Sequence, residues 1–136
     1  MDRTELIAVL LSWAASLSGY PYPDTTPPVE FRGREFFVEH ACQGEENCRV
    51  AAWYDAGTIY LDESLDDPED PVARSVVVHE LVHYLQDRSG KFPVKDCESD
   101  LGREQEAYSI QRTYLNRIAG RFAALWPVWG PCTGSG

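Results

Sequence analysis

The apolar positions change their period along the chain. Leu6, Val9, Leu10, Trp13 and Leu17 recur at helical spacing on one side of a segment that Thr4 can cap with Glu5 in its first turn, which predicts a helix to about Leu17. Ser18 to Pro28 is proline-rich and carries Tyr20 and Tyr22, so it reads as an extended crossing loop. Glu30 to Glu39, with Phe31, Phe36, Phe37 and Val38, reads as a strand. In Arg49 to Tyr54, Val50, Ala52 and Tyr54 alternate with Ala51 and Trp53, which predicts a second strand. Asp55-Ala56-Gly57 is turn chemistry and Thr58 to Leu61 the returning strand, so the pair forms a hairpin.

Asp70-Pro71 then reads as an N-cap followed by proline at the first helical position, and Ser89-Gly90 as the stop. Between them Val72, Ala73, Val76, Val77, Val78, Leu81, Val82 and Leu85 leave little polar circumference, so this helix should be largely buried. After a loop through Cys97, a last helix is expected over about Asp100 to Ala119. The tail residues Phe122, Leu125, Trp126, Val128 and Trp129 should pack onto the body. The expected fold is α+β in one domain over 1–136: an N-terminal helix, a small antiparallel sheet and two later helices.

Composition narrows the function. A chain of 136 residues with 43% hydrophobic residues is globular, and a net charge of −10 makes nucleic acid and anionic membranes poor partners. No segment reaches membrane-spanning length. Cys42, Cys48, Cys97 and Cys132 show no C-x-x-C spacing. An even count in a small domain favours two disulfides and an oxidising compartment over four free thiols. Of the three possible pairings, Cys42–Cys48 would clasp a short loop between two strands, and Cys97–Cys132 would tie the tail to the start of the last helix. A secreted or periplasmic protein follows. The acids around the apolar run Leu6 to Leu17 argue against reading that run as an export signal, which would then have been removed ahead of Met1. The six acids between Asp62 and Asp70 suit either a Ca²⁺ loop or, more simply, a solvated turn before a helix N-terminus.

The candidate chemistry sits in the buried helix. His79-Glu80-Leu81-Val82-His83 is an H-E-x-x-H pattern, whose two imidazoles lie four apart on one helical face, with Gln86 beside them. They can share one zinc ion, and Glu80 flanks that ion without binding it, where a general base for an attacking water belongs. A catalytic zinc normally takes a third protein ligand. Cys97, Glu98, Glu104 and Glu106 are the downstream candidates, and Arg103-Glu104-Gln105-Glu106-Ala107-Tyr108 is the most suggestive segment.

In these residues the chain resembles the gluzincin type of zincin metallopeptidase, in which H-E-x-x-H is followed by a ligand Glu in a Glu-x-x-Ala or Glu-Ala setting on a later helix. The resemblance implies a minimal zincin-like fold and zinc on His79, His83 and Glu106, with Glu104 as runner-up and Glu80 as the base. It covers about half the chain, and its size and cysteines resemble small exported bacterial members. The metzincin extension after His83 and the deformylase cysteine motif are absent. The implied reaction is peptide-bond hydrolysis on a peptide or protein substrate by a monomer, with Tyr84, Tyr108 or Tyr114 as oxyanion donor. His40, at the end of the first strand, is either within reach of the site or a surface residue. The hairpin edge offers strand addition to an extended substrate. Two other readings stay open: a non-catalytic binding module with a structural or vestigial zinc site, and an amidase acting on a cell-wall peptide.

Overall fold

A computed structural model describes residues 1–121 and Cys132. The expectation for Phe122, Leu125, Trp126, Val128 and Trp129 lies outside these residues. Helix α1 spans Arg3–Ser18. Its cap is Asp2, not Thr4: the Asp2 carboxylate accepts the Glu5 N–H at 2.8 Å, which moves Thr4 into the first turn.

The expected strand over Glu30 to Glu39 is two elements. Strand β1 is Val29–Arg32, and after Gly33 the chain turns into helix α2, Arg34–His40. The run Phe36-Phe37-Val38 has no period of its own, so tertiary contacts decide it. Phe37 is fully buried. Arg34 donates to Asp62 at 2.9 Å, to the Val50 carbonyl at 2.7 Å and to the Cys48 carbonyl at 2.8 Å. One guanidinium thus fixes α2 against the end of the sheet and holds the segment leading into the next strand.

Strands β2 (Ala52–Asp55) and β3 (Thr58–Asp62) form the expected hairpin. Ala56 and Gly57 both take positive φ, 48° and 89°, as a two-residue turn that follows the sheet's twist requires. The strand order is β1-β3-β2. β2 is antiparallel to β3, but β1 is parallel to it, with Val29 opposite Ile59. The sheet is therefore mixed and not antiparallel, because α2 carries the chain across before the hairpin begins. β2 is an edge strand.

Helix α3 runs Pro71–Ser89 as expected, with the Asp70 carboxylate accepting the Val72 N–H at 2.9 Å and Gly90 closing it at φ 70°. It is the centre of the molecule, packed against α1, β2, β3 and helix α4, Cys97–Thr113. Leu10, Leu11 and Ala14 from α1, Ile59 and Leu61 from β3, and Val78, Leu81, Val82 and Leu85 from α3 make the core. Burying each large aliphatic side chain is worth roughly 1.5–3 kcal/mol. α4 starts three residues earlier than expected because Asp96 caps it through the Ser99 N–H at 2.8 Å. It continues into a wider π-helical turn, Tyr114–Ile118.

Most acids of the 62–70 segment have local work. Asp62 accepts the Ser64 N–H, Asp67 the Glu69 N–H and Asp70 the Val72 N–H, while Asp66 pairs with Arg3 at 2.8 Å. This is the arrangement of a turn entering a helix. Among the described residues no helix is long and apolar enough to cross a membrane.

Both expected disulfides form, Cys42–Cys48 and Cys97–Cys132. The first closes a small loop within the connection between α2 and β2, so it clasps a helix-to-strand connection and not one between two strands. Thiol titration of the denatured, unreduced protein is expected to find no free thiol. The second bridge spans 35 residues, for which chain entropy predicts about 3–4 kcal/mol of stabilisation. Denaturant unfolding of a Cys97→Ser, Cys132→Ser double variant measures that loss.

Candidate metal centre

α3 exposes one polar face inside an otherwise apolar helix. His79, Glu80, His83 and Gln86 are all buried, at 2–7% exposure. Buried polar side chains need partners, and most of these come from α4. Its residues Asp100, Glu104, Tyr108 and Gln111 lie four, four and three apart, a single helical stripe. Ala107, fully buried beside that stripe, leaves room for the two helices to approach.

Glu104 turns one carboxylate oxygen to both histidines: its Oε1 is 3.5 Å from His79 Nε2 and contacts His83 Nε2. His79, His83 and Glu104 offer ligand atoms within 4.8 Å of one another and form a group that can hold a metal ion. Glu106 is not part of it. Two residues further along the helix, it faces away and bonds Tyr20, Gln86 at 3.0 Å and Lys91 at 2.6 Å. The residue brought to the two histidines is thus the runner-up, Glu104, and not the expected Glu106. The signal was in the sequence: Glu104 and Ala107 are i and i+3 on one face, a Glu-x-x-Ala spacing, whereas a Glu directly before Ala points elsewhere.

The remaining nitrogen of each imidazole is held from behind. His79 Nδ1 lies 3.0 Å from Gln111 Oε1, and Gln111 Nε2 donates to Ser75 Oγ at 3.1 Å. His83 Nδ1 lies 2.8 Å from Gln86 Oε1. With Nδ1 so engaged, each Nε2 faces Glu104. The donor set of two imidazole nitrogens and a carboxylate oxygen suits zinc.

Glu80 sits 3.8 Å from His79 Nε2 and accepts the backbone N–H of Tyr54 on β2. Burial pushes its carboxyl up, against the pull of His79 and His83. Glu104 goes the other way: burial opposes its ionisation, but bonds from both histidines hold it well below the usual carboxylate range. Burial would lower His83, and the bond to Glu104 with the charges of Glu80 and Glu104 more than offsets it. Two carboxylates in one site are thereby driven apart.

The group opens into a cavity of about 710 Å³ between α3, α4 and the segment 49–54 leading into and along β2. Of the three expected tyrosines, Tyr108 is at this cavity, its ring 4.3 Å from that of His79. Burial, then the charges of Glu104 and Glu80, raise its hydroxyl pKa, so it stays a donor. Tyr84 points away, its hydroxyl donating to the Thr25 carbonyl at 2.9 Å, and Tyr114 is buried in the core. His40 lies on α2 with its ring against Phe36 at 4.7 Å and does not line the cavity. Sequence reasoning missed Tyr54, Ser75 and Gln111. A polar residue four or seven positions from Glu104 on the same helix was the available signal for Gln111.

Fold and site define an α+β protein with a group of two buried histidines and a partly exposed glutamate that is able to hold a metal ion and lines a cavity. A family model described as a domain of unknown function (DUF6647) matches residues 1–128, and the chain belongs to that family. No curated protein and no solved structure matches it.

Proposed function

We propose that the protein is a zinc-dependent peptidase of the gluzincin type, with His79, His83 and Glu104 as ligands and Glu80 as general base. The observation that carries the reading is Glu80. It is a buried carboxylate beside the ligand group yet outside it, facing a large cavity. A structural site is closed by a fourth protein ligand and has no use for such a group; among the described residues the group has three. The two disulfides support an exported, secreted or periplasmic setting.

Zinc on these residues would supply Lewis-acid polarisation of a carbonyl and acidify a water beside it. Glu80 takes the proton of the attacking water and hands it to the leaving amine, so no net proton is consumed. The Tyr108 hydroxyl donates to the carbonyl oxygen as negative charge develops there.

The edge strand supports an extended substrate. In the β2–β3 pairing, residues 53 and 55 face β3, so by alternation the backbone polar groups of Ala52 and Tyr54 face the open edge. The Tyr54 N–H is engaged by Glu80. The Ala52 N–H and C=O and the Tyr54 C=O are placed to pair with a peptide lying along the cavity.

Elemental analysis after metal loading is expected to find one zinc per chain. Unfolded casein is expected to be cleaved, to be spared after chelation and to be cleaved again on zinc addition. Absence of zinc, or cleavage indifferent to chelation, would overturn the reading. Tyr108→Phe is expected to lower kcat about 10²-fold, as loss of one oxyanion donor does, with zinc content unchanged.

A further inference from the structure

The glutamine behind His83 can take only one orientation. The amide nitrogen of Gln86 donates to the Arg103 carbonyl and to the Glu106 carboxylate, both at 3.0 Å. Both groups are acceptors only, so the NH₂ end must face them. Gln86 Oε1 is then turned to His83 Nδ1, and an oxygen acceptor there requires Nδ1 to carry a proton. Gln111 is fixed in the same way. Ser75 Oγ donates to the Val72 carbonyl at 2.7 Å, so it receives the Gln111 NH₂, and Gln111 Oε1 is left for His79 Nδ1.

We infer that Gln86 and Gln111 are positioning residues that set the tautomer of the two ligand histidines, and that Glu106 is the anchor that orients Gln86. This rests on the metal-binding reading above and adds how the ligands are held. The path runs from Lys91 and Tyr20 to Glu106, then Gln86, then His83. It joins the proline-rich loop and the end of α3 to a ligand buried inside the molecule. Each ring is held at Nδ1, which leaves its Nε2 lone pair directed at the ligand group, and neither ring can turn without breaking its bond to the glutamine.

A neutral amide behind each imidazole has a second consequence. A carboxylate in that place would raise ligand basicity and add negative charge to the site. Here the nearest such charge, Glu106, stands one side chain further back and is partly neutralised by Lys91 at 2.6 Å.

The test is zinc affinity by competition with a chromophoric chelator, together with the imidazole N–H signals of the zinc-loaded protein. Gln86→Met, which fills the space without an acceptor, is expected to weaken zinc about 10–100-fold. The His83 Nδ1 proton should then exchange faster with solvent while that of His79 stays protected. Glu106→Ala should move both readouts in the same direction by less, and Glu106→Gln, which keeps an oxygen facing Gln86, should restore most of the affinity. A merely structural role for Gln86 would lower stability without a selective change at His83. Wild-type protein that binds no zinc would overturn the metal reading itself. Wild-type protein that binds zinc, with Gln86→Met and Glu106→Ala binding it equally well and His83 unchanged, would overturn this inference and leave the metal reading standing.

Discussion

Glu104→Ala is expected to abolish tight zinc binding, by a factor well beyond the roughly 100-fold that marks loss of a residue that only orients a ligand. Glu104 is the carboxylate that meets both histidines, and its removal leaves two imidazoles on one helix with no oxygen ligand. Competition titration measures the loss directly. Metal-free stability should also fall near neutral pH, because the histidine contacts that hold the Glu104 carboxyl below its usual range are lost with it. Glu106→Ala, two residues along the same helix, should retain most of the affinity. The opposite ranking, with Glu106 indispensable and Glu104 dispensable, would overturn the assignment and return the third ligand to the residue that the Glu-Ala dipeptide suggested.

The second large effect is on turnover. Glu80→Gln should preserve zinc content and fold, since Glu80 lies outside the ligand group and glutamine is nearly isosteric. The Tyr54 N–H can still donate to the amide oxygen. Casein hydrolysis should fall by about 10²–10⁴-fold, the range for losing a positioned base. Unchanged hydrolysis would refute the mechanism. Zinc binding without hydrolysis in the wild type, across a broad peptide library, would favour the alternative of a non-catalytic binding module with a retained zinc site. The two variants separate the roles: one removes metal and turnover together, the other turnover alone.

Much of the scaffold was legible because local rules and tertiary demands agree there. The motif helix has its cap at Asp70, its proline at Pro71 and its stop at Gly90 where sequence places them. The Asp55 to Thr58 hairpin follows from Gly57, which accepts positive φ freely, and Ala56 takes it at a steric cost. The stretch after β1 was not legible. Its aromatic run fits either period, and the choice was made by Arg34, which reaches Asp62 twenty-eight residues away. Arg34 also holds Asp62 ionised: burial resists, but the Ser64 bonds and the Arg34 contact outweigh it and keep the carboxyl below its usual range.

By itself the sequence determined the chemistry-bearing pair His79 and His83, the flanking Glu80 and the helix that carries the motif, and it favoured the short Cys42–Cys48 bridge. Each of these is a short-range fact: a spacing of four on one helix, a cap one residue before a proline, a loop short enough to be clasped by a bridge. The tertiary structure decided everything that depends on how one helix turns against another. Which glutamate faces α3, how Tyr108 reaches the cavity and that Gln111 stands behind His79 are set by the rotation of α4 about its own axis. One residue turns a helix by about 100°, so Glu104 and Glu106 lie on opposite sides. Only the burial of Ala107 against α3 fixes which side points inward.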